Sequence, residues 1–191
     1  MKIREHRREL KNSYVSFTMG SGIITKIIWS QLLIFTAGFS FSFASEIKLG
    51  LGKSPETNQN GVALNVEYIG NSLDSVFGLY PFVGTDKNLN GYTSSAYTGL
   101  VLKKFLDHNF LVEISFGGAA HDGPLKKQKP GKRRRTMGSR ILFRESLSVG
   151  YIFKNQHNIS LFIDHISNAS IVRPNSGVTN MGVRYGIPLE Y

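Results

Sequence analysis

The sequence predicts an all-β protein, an eight-stranded antiparallel β-barrel of the type that crosses the bacterial outer membrane. Three observations carry the prediction. Beyond residue 45, apolar and polar residues alternate in segment after segment, the period of a strand with two unlike faces. Turn residues divide this part of the chain into eight such segments, the smallest closed barrel that spans a membrane. A basic head and an apolar stretch precede them, and the chain closes on an aromatic residue, Tyr191.

The first element is a leader. Met1 to Lys11 is charged, and residues 23–43 are apolar apart from Lys26, Gln31 and small residues. Ser42 and Ala44 put small side chains at the two positions a signal peptidase reads, so residues 1–44 are expected to be a signal peptide cut near Ala44. Met19 is an alternative start, and the apolar run is also long enough for an uncleaved anchor. Residues 45–191 are then a single β-barrel domain.

The expected strands are 46–52, 61–70, 74–84, 91–103, 109–120, 138–153, 157–168 and 178–188. Connections at 71–73, 104–108 and 154–156 are tight, whereas 53–60, 85–90, 121–137 and 169–177 are longer or more polar. Short turns on one side and long loops on the other suit a barrel inserted from the periplasm. Parity within the strands is clear. Phe110, Val112, Ile114 and Phe116 oppose Glu113, Ser115 and Gly117, and Met181, Val183, Tyr185 and Ile187 oppose Asn180, Gly182, Arg184 and Gly186. A soluble barrel would turn the apolar face inward; a membrane barrel turns it to lipid and fills its lumen with the polar face. The leader and the terminal aromatic select the membrane arrangement.

Composition narrows the function classes. Among 191 residues there is no cysteine, which removes disulfide scaffolds and thiolate sites. The net charge is +10, but Lys126, Lys127, Lys129, Lys132, Arg133, Arg134 and Arg135 form one basic run on a predicted outer loop. Without that run and the leader the remainder is close to neutral, so a general nucleic-acid binder is excluded as the reading. Lipopolysaccharide phosphates are the expected partners of the run, since Arg and Lys both bind phosphate well.

The chemistry lies in the seventh strand. His165 and Ser167 sit two apart and so share one face, the apolar one of Ile159, Leu161 and Ile163, at the strand's outer end. Polar groups facing hydrocarbon are costly unless used. At that depth the abundant ester is an acyl linkage of lipid A. Ser167 has the chemistry of a nucleophile and His165 that of its general base. Asn168 and Asn175 are the side chains on hand to stabilise an oxyanion.

His165-Ile166-Ser167-Asn168-Ala169, followed by Pro174-Asn175-Ser176-Gly177 and a last strand ending in an aromatic residue, resembles the lipid A 3-O-deacylase (PagL) family of outer-membrane esterases. The resemblance implies His165 and Ser167 as catalytic, Asn175 as an oxyanion donor and Phe143 as a substrate-facing aromatic. The implied substrate is the 3-hydroxyacyl ester at the 3-position of lipid A, hydrolysed with no metal or other cofactor. Beyond lipid and membrane, the protein partner to expect is a second copy of the chain, in a homodimer.

The family places a glutamate two residues after the glycine of Pro-Asn-x-Gly, to orient the histidine; here that position is Thr179. A hydroxyl can accept the ring N–H but brings no negative charge. A turn centred on Asn155 sets Glu145 opposite His165 on the same face, so Glu145 is a second candidate for orienting it. The competing function class is a small structural or interaction barrel that kept the motif and lost activity with Thr179; an acyl transferase built on the same pair is the third.

Overall fold

The computed structural model describes residues 45–56, 59–126 and 134–189. The leader assigned to residues 1–44 therefore lies outside the described residues. Eight strands, β1 (Glu46–Lys53), β2 (Val62–Ile69), β3 (Tyr80–Asn88), β4 (Ser95–Leu106), β5 (Phe110–His121), β6 (Ile141–Ile152), β7 (Asn158–Ser167) and β8 (Val178–Pro188), follow one another around a closed antiparallel barrel. β1 closes it against β8, from Glu46 opposite Pro188 to Lys53 opposite Met181.

The faces are inverted relative to a soluble domain. Along β6 every second residue is buried, and the exposed set includes Ile141, Phe143, Leu147, Val149 and Tyr151. The buried set is largely polar: Lys48, Asn65, Arg144, Ser148, Asp164 and Arg184 are all buried, beside an apolar cluster that includes Ile69, Phe82, Leu142 and Ile166. Charges inside a protein persist only when paired and hydrogen-bonded. Arg144 and Arg184 both reach Asp164 Oδ2, at 3.3 and 3.1 Å. Lys48 pairs with Glu113, and Lys103 with Glu46. Arg144 also lies 3.8 Å from the centroid of the Tyr97 ring, and Arg184 the same distance from that of Phe162. The lumen is thus packed, and largely polar. At the end carrying the short turns, Phe110, Tyr151 and Phe153 meet edge to face on the outer surface, as in the aromatic girdle of a membrane barrel.

The third strand departs from expectation. Residues 74–84 were expected to form it, but Asp74–Val76 is a single 3-10 turn and β3 runs from Tyr80 to Asn88. Phe77 and Gly78 both take left-handed φ, 55° and 66°, which breaks any extended strand there. The far end gains residues because the lumen is polar. Asp86 and Asn88 look like loop residues in sequence yet point inward, and Asp86 accepts a 2.7 Å hydrogen bond from Asn65.

Candidate functional site

β7 delivers His165 and Ser167 to the outer surface at the end that carries the long loops. Its alternation buries Phe162, Asp164 and Ile166 in the lumen and leaves His165 and Ser167 half-exposed on the opposite face. Register fixes their neighbours. Glu145 of β6 lies opposite His165, and Phe143 opposite Ser167. On the other side Thr179 of β8 lies opposite His165.

The imidazole turns toward β8: Nδ1 is 3.0 Å from Thr179 Oγ1. Nε2 is the ring nitrogen that Thr179 does not engage. Gly177, with φ +56°, backs the ring closely; a Cβ there would stand 2.7 Å from His165 Cε1 and 3.0 Å from Nε2. Thr179 therefore holds the position of an orienting acceptor, as a neutral group. Glu145 is exposed and flanks His165 from the opposite strand. Arg144, its neighbour in sequence, is fully buried in the lumen and unavailable to pair with it. Asp164 likewise belongs to the lumen.

The loop 168–177 folds back over the strand end. Asn168 is buried, and its Nδ2 donates to the carbonyls of Met137 and Val172 at 2.8 and 2.7 Å. Its side-chain donors are thus engaged in holding the loop. Asn175 accepts from the Asn168 N–H through Oδ1 at 3.1 Å, and its Nδ2 stands 3.5 Å from Ser170 Oγ. Ala169 and Ser170 both adopt left-handed backbone, φ 50° and 63°. Each non-glycine residue held there costs on the order of 1–3 kcal/mol, and such strain concentrates at functional sites. The Ala169 N–H points toward Ser167 Oγ at 3.5 Å.

Of the basic run, Lys126, Arg134 and Arg135 are described. Arg134 pairs with Asp122, and the Arg135 guanidinium donates to the carbonyls of Ser176 and Gly177. Arg135, expected to meet phosphate, thus ties the root of its loop to the turn behind His165. Residues 127–133 lie outside the described residues.

Beside Ser167 an open cleft of about 340 Å³ runs along the lipid-facing surface, bounded by Phe116, Gly118, Ile141, Phe143, Ile171 and Val172. Phe143 and Phe116 stack with centroids 6.0 Å apart and planes 21° from parallel. Gly118 forms part of the floor, where a Cβ would meet nothing nearer than the Leu142 carbonyl at 4.0 Å. The cleft is apolar and elongated by the absence of a side chain at that position. Among the described residues no group of three or more His, Asp or Glu side chains is arranged to hold a metal ion.

The sequence model of the lipid A 3-O-deacylase (PagL) family matches residues 61–188, from just before β2 to the end of β8. The chain belongs to that family. The crystal structure of the outer membrane enzyme PagL is similar at 19% identity, with a TM-score of 0.59 over 75% of this chain and 99% of that one. A de novo designed transmembrane β-barrel is similar at 11% identity, with a TM-score of 0.51 over 78% of this chain and 98% of that one. Both likenesses concern the fold. No curated protein sequence matches. Within this PagL-family barrel, sequence reasoning missed Arg135 as an anchor of the Ser176–Gly177 turn and Glu56 as a neighbour of Thr179. Neither leaves a local signal, because each contact joins residues from different parts of the chain.

Proposed function

We propose that this PagL-family barrel is an outer-membrane esterase, exported by its leader, that hydrolyses the 3-hydroxyacyl ester at the 3-position of lipid A. One observation carries the reading: a histidine and a serine share the lipid-facing side of one strand, beside an apolar cleft. In the reaction, Ser167 Oγ attacks the ester carbonyl carbon while His165 Nε2 takes the hydroxyl proton. The tetrahedral intermediate collapses, and the sugar oxygen leaves with that proton. Water, deprotonated by the same nitrogen, then releases the 3-hydroxy fatty acid from Ser167.

Asn175 Nδ2 and the Ala169 and Ser170 N–H groups are the donors best suited to the oxyanion, each worth about 3–4 kcal/mol when preorganised. Thr179 fixes the tautomer by taking the Nδ1 proton in a hydrogen bond. The cleft along Phe143 and Gly118 receives the acyl chain. Mass spectrometry of lipid A from cells expressing the chain is expected to show loss of one 3-hydroxyacyl group. Unchanged lipid A, with a folded barrel and 3-O-acylated substrate present, favours a non-catalytic barrel. The neutral Thr179 at Nδ1 is the observation on that side.

Two further outcomes are expected. Gly177→Ala forces a methyl against the imidazole and requires strained backbone, so kcat falls roughly 10- to 100-fold while the barrel still folds. Release of 3-hydroxy fatty acid by purified protein measures this; a wild-type rate would show that the ring tolerates displacement. Glu145→Gln removes a charge beside His165 without touching Nδ1. A through-space contribution of about 1 kcal/mol predicts a kcat about fivefold lower. Undiminished turnover would remove Glu145 from the catalytic account.

A further inference from the structure

Thr179 raises a question of charge. A histidine that takes a proton from serine becomes an imidazolium, and its Nδ1–H then needs an acceptor that stabilises positive charge. The acceptor in contact is a neutral hydroxyl, Thr179 Oγ1 at 3.0 Å. With its lone pair facing Nδ1–H, that hydroxyl directs its own proton elsewhere.

Thr179 is also bound to a carboxylate. Its backbone N–H donates to both oxygens of Glu56, at 3.1 Å to Oε1 and 3.4 Å to Oε2. Glu56 lies just past the end of β1, where the strand no longer pairs with β8. Its position is well held. The hydroxyl of Ser54, a buried residue, donates to Oε2, and the Glu56 carbonyl accepts the Gln59 N–H at 2.9 Å. Covalent geometry keeps Glu56 Oε1 within about 6 Å of Thr179 Oγ1. Among the described residues, Glu145 from β6 and Arg135, whose guanidinium sits on the Ser176 and Gly177 carbonyls, also flank the ring.

We infer that Glu56 is a positioning residue for His165, supplying through Thr179 the negative charge that a carboxylate in direct contact would otherwise provide. The assignment rests on the deacylase reading above. As Ser167 gives up its proton, Nδ1–H strengthens its bond to Thr179 Oγ1. The threonine O–H then rotates toward the Glu56 carboxylate, so the charge is shared along His165, Thr179 and Glu56 with no proton leaving Nδ1. The same carboxylate closes the exposed edge of β8, which is why one side chain can hold both the backbone and the charge.

A double-mutant cycle tests this with kcat and the pH profile of 3-hydroxy fatty acid release, each variant first shown to be folded by its heat-modifiable migration in gels. Glu56→Gln is expected to lower kcat roughly 10- to 100-fold, less than the ~10⁴ lost when an acid directly on a catalytic histidine is neutralised. KM changes little, and the acid limb of the profile moves to lower pH. Thr179→Val keeps the N–H to Glu56 and the β-branched shape while removing the hydroxyl; it is expected to lose at least as much. Adding Glu56→Gln to Thr179→Val then costs nothing more. A loss from Glu56→Gln that is equal in both backgrounds, with the pH limb unmoved, would mean that Glu56 only secures the sheet edge. Thr179→Val at the wild-type rate overturns the assignment even if Glu56→Gln fails to fold. Wild-type protein no more active than Ser167→Ala would instead bring down the deacylase reading itself, and this inference with it.

Discussion

Ser167→Ala is expected to abolish lipid A deacylation, lowering kcat by at least about 10³-fold, with a residual rate owed to oxyanion donors and substrate binding alone. The loss is chemical. Ser167 is half-exposed on the lipid-facing side, and among the described residues its Oγ makes only a long, 3.5 Å contact with the Ala169 N–H. Replacing it by alanine therefore leaves stability within about 0.5 kcal/mol, as for other surface substitutions. The measurement pairs lipid A mass spectra with a folding check on the same preparation. A Ser167→Ala barrel that still removes the 3-hydroxyacyl group would exclude serine as the nucleophile and leave His165 acting on water directly.

The second large effect is on stability. Asp164→Ala is expected to cost about 3–5 kcal/mol, because it leaves two buried guanidiniums short of their shared carboxylate. Arg144 and Arg184 both depend on Asp164 Oδ2, and all three side chains are at most 2% exposed. Arg144 keeps Glu67 at 3.5 Å, and Arg184 keeps Asn65 at 2.7 Å, which holds the penalty to that of one broken buried pair. Asp164→Asn retains an acceptor and is expected to lose less. Urea unfolding of the barrel in lipid vesicles, followed by circular dichroism, compares the two. Equal midpoints for wild type and Asp164→Ala would show that lumen water, not Asp164, compensates these arginines.

Much of the architecture was legible because a strand's side chains alternate with a period of two. That period placed His165 and Ser167 together on the lipid-facing side and Asp164 in the lumen. A tight turn extends the same logic across one hairpin, so centring β6–β7 on Asn155 sufficed to put Glu145 opposite His165. The period failed where composition misled it. Asp86 and Asn88 read as loop because polar runs usually are, yet a polar lumen makes them strand residues. Residues 74–79 read as strand because nothing apolar or polar in them announces the left-handed Phe77–Gly78 pair.

The candidate site divides along the same line. The sequence by itself determined the fold class, the face on which the histidine and serine stand, and the end of the barrel they reach. All three follow from local alternation and from the order of turns. Only the tertiary structure decided how the imidazole is held and which groups remain for chemistry. Closure of β1 on β8 brings Glu56 to Thr179 across 123 residues of chain. The fold-back of loop 168–177 engages the Asn168 amide with Met137 and Val172, and Arg135 with the turn behind the ring. Such contacts are set by ring closure and by backbone hydrogen bonds that loops must satisfy somewhere, and neither leaves a periodic trace in the residues that make them.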